Sequence, residues 1–142
     1  WTLCRMNNLF TYGSLMFPEV WGRVVDASYR SLDATLRGYV RKQVRGETYP
    51  AIIPGAASSC LEGVLYYGIL PDDLARLDRF EGDYYVRTAV TVLTAQGSAV
   101  DAHTYVLKEA YRHILSAEEW DHVAFEEKGI GRFLSDYCGF DR

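Results

Sequence analysis

Residues 61–70 read Leu-Glu-Gly-Val-Leu-Tyr-Tyr-Gly-Ile-Leu, a run nearly unbroken in apolar character. A strand of that composition needs cover on both faces, so it sets the centre of a sheet and obliges the rest of the chain to supply its neighbours. Tyr85–Thr94 and Ala99–Leu107 alternate around Gln96-Gly97 and predict a hairpin. Residues 35–47 alternate as well, with Leu36, Val40 and Val44 on one face and Arg37, Tyr39, Arg41, Gln43 and Arg45 on the other. That pattern predicts one strand with a solvated side, although a row of arginines is also a surface for an anionic partner. A further apolar strand ends at Leu9-Phe10.

Helices are fewer. Residues 18–25 place Val20, Trp21 and Val24 on one stripe. Ser116-Ala117-Glu118-Glu119 has the form of a capping box and predicts a helix carrying Trp120, Val123 and Ala124, weakened by Gly129 and Gly131 before Phe133, Leu134 and Tyr137. The pattern is α+β with strands dominant.

The chain has 142 residues, 49% of them hydrophobic, which suits one compact domain spanning 1–142 with a sizeable core. Residues 1–5 precede Met6, close to the first strand, and are expected to form an extension outside the fold. A net charge of −4 gives no electrostatic reason to expect nucleic acid or an anionic membrane as partner. No apolar run has bilayer-spanning length, and no signal-peptide pattern opens the chain. Cys4, Cys60 and Cys138 are odd in number and widely spaced, fitting neither a disulfide framework nor a zinc pattern, so a cytoplasmic location is the simplest expectation.

Two segments carry chemistry. Leu9-Phe10-Thr11-Tyr12-Gly13-Ser14-Leu15 runs an apolar strand into a loop of small residues, where bare main-chain N–H groups can face an anion. In the second, Pro71-Asp72-Asp73 opens a short helix whose apolar stripe, Leu74 and Leu77, continues in register to Glu81. Gly82 follows as a helix stop. A glutamate on the core-facing stripe, at the negative end of the helix dipole and flanked by Phe80, Tyr84 and Tyr85, is disfavoured as an anion. Its pKa is expected above the ordinary value of about 4.3. The plainer alternative makes Glu81 the last solvated residue of a surface helix.

Both segments resemble the γ-glutamylcyclotransferase superfamily and its avirulence-induced-gene-like branch. The resemblance rests on Tyr12-Gly13-Ser14-Leu15, on Tyr49-Pro50-Ala51, on Leu77-Asp78-Arg79-Phe80-Glu81-Gly82, and on Tyr85-Val86-Arg87, in that order across roughly residues 7–137. It implies a small mixed β-barrel flanked by a few helices. It also implies an enzyme, formally a lyase or acyltransferase, that cyclises a γ-glutamyl amine or amide to 5-oxoproline and releases the amine. By the same resemblance Glu81 is the general acid and base, the main chain of Tyr12, Gly13, Ser14 and Leu15 holds the substrate carboxylate or the developing oxyanion, and Tyr105 contacts the small-molecule substrate. No cofactor and no metal are implied. A related acyl-transfer enzyme that removes a γ-glutamyl protecting group is a second possibility, and a non-catalytic small-molecule-binding or interaction domain of the same fold a third.

Other residues keep two readings. Tyr105 and His103 share a strand face, and each is also an ordinary half-buried hairpin residue. Glu119, His122 and Glu126 stand at helical spacing for a metal but lack a complementary cluster. Ser14 has no nucleophile-elbow sequence around it, which leaves its backbone as the useful part. Among eleven tyrosines, Tyr49, Tyr84 and Tyr85 are candidates to wall a pocket for a small polar substrate with an aliphatic spine.

Overall fold

A computed structural model describes residues 7–47, 49–129 and 131. Five strands close into a barrel: β1 (Asn7–Thr11), β2 (Ser31–Arg37), and the strands Cys60–Ile69, Tyr85–Thr94 and Ala99–Leu107, which are β5, β6 and β7. Between them in sequence, β3 (Tyr39–Gln43) and β4 (Pro50–Pro54) form a separate antiparallel pair. The near-continuous apolar run is β5, which pairs with β1 on one side and with β2 on the other. Closure comes from a parallel contact between β1 and β7 at Leu9 and His103. The β6–β7 hairpin forms as the alternation predicts, turning at Gly97 with φ +85°.

Period-two alternation sorts the barrel residues into two cores. Phe10, Ala34, Leu36, Leu65, Val92 and Ala102 fill the interior. Leu9, Tyr66, Tyr105 and Leu107 face outward and are covered by α1 (Pro18–Val24) and α2 (Pro71–Glu81) through Val20, Trp21, Leu74 and Leu77. Tyr66 stacks flat on Trp21 with ring centroids 3.7 Å apart. Its hydroxyl, donated to the Leu15 carbonyl at 3.2 Å, is pushed up to about 12 by burial. Asp73 clips α2 to the segment after α1. Its carboxylate accepts from the Asp26 and Ala27 N–H groups, from the Tyr29 hydroxyl at 2.6 Å and from Arg76 at 2.6 Å.

Two sequence expectations are corrected. Residues 35–47 are not one strand: Gly38 takes φ +84°, and the chain leaves the barrel after Arg37 to enter the second sheet at Tyr39. The alternation survives a glycine-mediated change of direction, so periodicity alone does not register it. Of the arginine row, Arg37 and Arg45 are exposed as expected, but Arg41 is half-buried. The capping box does not start a helix either. After a tight helical segment, Glu109–Ile114, Leu115 bridges antiparallel to Val44 beside β3, the Ser116 N–H donates to the Gln43 carbonyl and the Gln43 N–H to the Glu118 carbonyl. The following helix, α3 (His122–Ala124), is capped by Asp121, whose Oδ1 accepts from the Val123 and Ala124 N–H groups, and it leads into a single wide turn at Phe125–Gly129. Ladder bonds to an open sheet edge outweigh a local capping preference. Residues 1–5, Cys138, Phe133, Leu134 and Tyr137 lie outside the described residues. Among the described residues no helix is long and apolar enough to cross a membrane.

Candidate functional site

α2 is built as its sequence prescribes. Pro71 occupies the first turn with Asp72 and Asp73, Leu74, Leu77 and Phe80 are buried, and Glu81 is the last residue. Gly82 ends the helix at φ +78°, its N–H returning to the Asp78 carbonyl at 3.1 Å. The register therefore delivers Glu81 to the lining of a cavity that Phe10 of β1 also borders.

The opposite wall is the end of β1 and the loop that follows it: Thr11, Tyr12, Gly13, Ser14 and Leu15 all line the cavity. Residues Ser14–Met16 form one tight helical turn, anchored by the Met16 N–H to the Gly13 carbonyl. Among the described residues, none accepts a hydrogen bond from the N–H groups of Gly13, Ser14 or Leu15, as the opening of a helical turn leaves them. Phe80, Tyr105, Tyr49, Pro50 and Tyr85 complete the lining, with the Tyr85 hydroxyl donating to the Pro50 carbonyl at 3.4 Å. Among the described lining residues Glu81 carries the one ionisable acid or base other than tyrosine.

Glu81 keeps some surface as a residue, but its carboxyl is crowded by protein. Burial raises its pKa to about 8, with the nearby Asp78 carboxylate adding to the rise. Asp78, three residues earlier, accepts the Tyr105 hydroxyl at 2.6 Å and pairs with the Arg87 Nε at 3.2 Å. Burial, that hydrogen bond and the charges of Glu81 and Asp78 raise the Tyr105 phenol strongly, so it stays a neutral donor. The Tyr12 hydroxyl in turn donates to the Tyr105 carbonyl at 2.6 Å, binding the loop to β7.

All six residues singled out from the sequence, Glu81, Tyr12, Gly13, Ser14, Leu15 and Tyr105, thus border one cavity. Of the three candidate wall tyrosines, Tyr49 and Tyr85 line it, but Tyr84 does not. Tyr84 is exposed and packs edge-on against Tyr111 at 4.6 Å, because the chain turns outward after Gly82. His103 lies elsewhere on β7, in a shallow surface recess with Asn8 and Asp101. Glu119 precedes α3, so Glu119, His122 and Glu126 do not share one continuous helix, and the side chain of His122 lies outside the described residues. The sequence reading missed Asp78, Pro50 and Arg41. Asp78 had a signal, since a carboxylate at i−3 from Glu81 shares its helix face. Pro50 stands in the Tyr49-Pro50-Ala51 segment that carries the resemblance, whereas Arg41, on a strand of the second sheet, had no such signal.

A closed five-stranded barrel with two covering helices, carrying a buried carboxylate opposite an amide-lined loop, defines a small α+β fold with a pocket fit for proton-transfer chemistry. The family model described as "Gamma-glutamyl cyclotransferase, AIG2-like" matches residues 9–122, and the chain belongs to that family. Among relatives from Arabidopsis thaliana, AIG2-like protein D is 38% identical over 71% of this chain and 67% of its own length. AIG2-like protein A is 31% identical over 73% of this chain and 64% of its own length, so the chain spans just under two thirds of that relative. A solution structure of an Arabidopsis thaliana protein superposes with a TM-score of 0.72 at 26% identity, covering 95% of this chain and 81% of the other. A solved structure named gamma-glutamyl cyclotransferase superposes with a TM-score of 0.61 at 21% identity over 73% of this chain and 68% of the other, a likeness of fold.

Proposed function

We propose that the protein is a γ-glutamyl cyclotransferase: it closes a γ-glutamyl amine or amide onto its own α-amine, forming 5-oxoproline and freeing the amine. The observation that carries this reading is the position of Glu81, a carboxyl held near neutrality inside the cavity that the 12–15 loop walls.

In the proposed reaction the substrate supplies the nucleophile. Glu81 as carboxylate takes a proton from the α-ammonium. The freed amine attacks the γ-carbonyl carbon, a C–N bond forms in a five-membered ring, and the bond to the leaving amine breaks. Glu81 returns its proton to that departing nitrogen. The second proton, which the ring nitrogen sheds on becoming the lactam N–H, follows to the released amine, which leaves as an ammonium, and the enzyme ends as it began. A general base with a pKa near the working pH is well matched to both transfers. The protein's other task is to hold a flexible chain in the closing geometry, where intramolecular effective molarities reach about 10⁵–10⁸ M. Main-chain N–H groups of residues 12–15 hold the α-carboxylate or the oxyanion, and the aromatic walls of Tyr49, Tyr85 and Tyr105 fit the aliphatic spine.

The test is direct incubation with a panel of γ-glutamyl amines and γ-glutamyl dipeptides, assayed for 5-oxoproline, with Glu81→Gln alongside. The expected result is turnover by the unaltered chain and a loss of about 10²–10⁴-fold in the variant, the range of general acid–base catalysis. No turnover across the panel, with ligands that nonetheless raise the melting temperature, would replace the enzyme with a binding domain.

A further inference from the structure

Arg41 stands on β3, outside the catalytic cavity, yet its Nη1 donates to the Tyr12 carbonyl at 2.7 Å and to the Glu62 carbonyl at 3.0 Å. One nitrogen thereby joins three elements: the second sheet, the loop after β1, and the central strand β5. The guanidinium also lies over the Trp120 ring, 5.3 Å from its centroid, a position that fixes the plane of the cation. Burial pulls the Arg41 pKa down while the Glu119 and Glu62 carboxylates push it back, and an arginine in this setting remains a cation.

The consequence lies in the peptide that Arg41 grips. There are no cis bonds among the described residues, so across the Tyr12–Gly13 peptide the carbonyl and the N–H point in opposite directions. The carbonyl points toward Arg41, which does not border the cavity; the Gly13 N–H points away from it, and Gly13 does border the cavity. A cationic donor on the carbonyl also draws electron density from the amide and strengthens the N–H at its other end.

We propose that Arg41 is a positioning residue for the anion-holding loop: by gripping the Tyr12 carbonyl from behind, it orients and polarises the Gly13 N–H toward the substrate's developing charge. This rests on the reading that residues 12–15 hold that charge. Arg41 touches no substrate and moves no proton.

Two variants separate this role from general support of the fold. Arg41→Met keeps length and bulk but removes the donor. Arg41→Lys restores a cation, and because both bonds come from one nitrogen, a lysine ammonium can make them. The expected result is that the backbone ¹⁵N resonance of Gly13 moves upfield in Arg41→Met and returns toward its original position in Arg41→Lys. Over the same series kcat/KM for 5-oxoproline formation falls about 10- to 100-fold in the methionine variant, the scale of a lost charged hydrogen bond. The lysine variant recovers most of it, and the inflection set by Glu81 keeps its pH. An unmoved Gly13 resonance, or one that shifts along with the whole spectrum as the fold loosens, would overturn the proposal. Should the unaltered chain form no 5-oxoproline, the catalytic reading falls, and the Gly13 resonance alone decides the claim about Arg41.

Discussion

Gly13 lies so close to the ring of Pro50 that a Cβ on it would stand 2.8 Å from both Cγ and Cδ of the proline. This contact joins the loop after β1 to the first residue of β4, and the Pro50 carbonyl accepts the Tyr85 hydroxyl at 3.4 Å across the same wall. The loop sits where it does because residue 13 has no side chain.

Gly13→Ala is therefore expected to push the loop off the proline ring, which is not the flexible end of a chain. Overpacking of this kind costs about 1–3 kcal/mol. The barrel should still fold while 5-oxoproline formation falls by about tenfold or more, since small displacements at a positioned site are expensive. Gly22→Ala is the control. It lies in α1 with nothing within 4 Å of the added carbon, and replacing a helical glycine should stabilise the protein by about 0.5–1 kcal/mol without loss of activity. Denaturant melts and initial rates on the two variants check both halves.

Glu81 should make the folded protein less stable as the solution becomes alkaline. Its pKa is about 8 folded against 4.5 for a free glutamate, so between those values the folded state binds a proton that the unfolded state has released. Stability then falls with rising pH across that window and stays low above it. Glu81→Gln removes the buried charge. Its melting temperature should match that of the unaltered protein near pH 4.5 and exceed it above pH 8. Thermal melts at both ends check this, and an equal gap at the two pH values would contradict it.

Asp78→Asn is expected to lower the pH at which activity turns on. The Asp78 carboxylate helps to keep Glu81 protonated, and removing it also leaves the Arg87 cation without its 3.2 Å partner beside the site. Both changes favour the Glu81 anion. A kcat/KM profile whose inflection falls below about 8 bears out the relation, and an unmoved inflection counts against it.

Asp73 should be a stability residue with no part in the chemistry. Only 2% of it is exposed. Burial alone would raise its pKa, but the hydrogen bonds from Tyr29, the Asp26 and Ala27 amides and Arg76 outweigh this and hold the carboxyl below its ordinary range. The folded-state pKa is depressed, so the stabilisation is present above the free carboxylate's pKa and is lost as pH falls through the lowered value. Asp73→Ala leaves the Asp26 and Ala27 amides and the Tyr29 hydroxyl without their acceptor and should lose about 1–3 kcal/mol at pH 7, the cost of leaving buried donors unsatisfied. Urea melts at pH 7 and pH 3 should show the gap narrowing at the lower value.

What the sequence disclosed, and what it hid, follow from the range of the interactions. The register of α2 is local, so Leu74, Leu77, Glu81 and Gly82 could be placed from spacing alone. The hairpin at Gly97 and the central strand β5 were legible for the same reason. Gly38 defeated the pattern because its positive φ redirects the chain without disturbing the alternation on either side. Ser116 and Glu118 looked like a helix cap until the edge of β3 claimed their backbone groups. Arg41 read as a surface arginine because nothing near it in sequence announces the Tyr12 carbonyl that it meets across 29 positions. The loop, the acid and the tyrosine of the site were visible one by one; their meeting at one cavity is a property of barrel closure.

The account stands most directly on the ionisation of one carboxyl. With glutamate labelled with ¹³C at the side-chain carboxyl, and Glu81→Gln used to assign its resonance, the Glu81 carboxyl can be titrated in the intact protein. The proposed chemistry calls for a midpoint near pH 8. A midpoint near 4.3, the ordinary glutamate value, would contradict it, since Glu81 would then be a solvated anion with little reason to carry a proton at neutral pH.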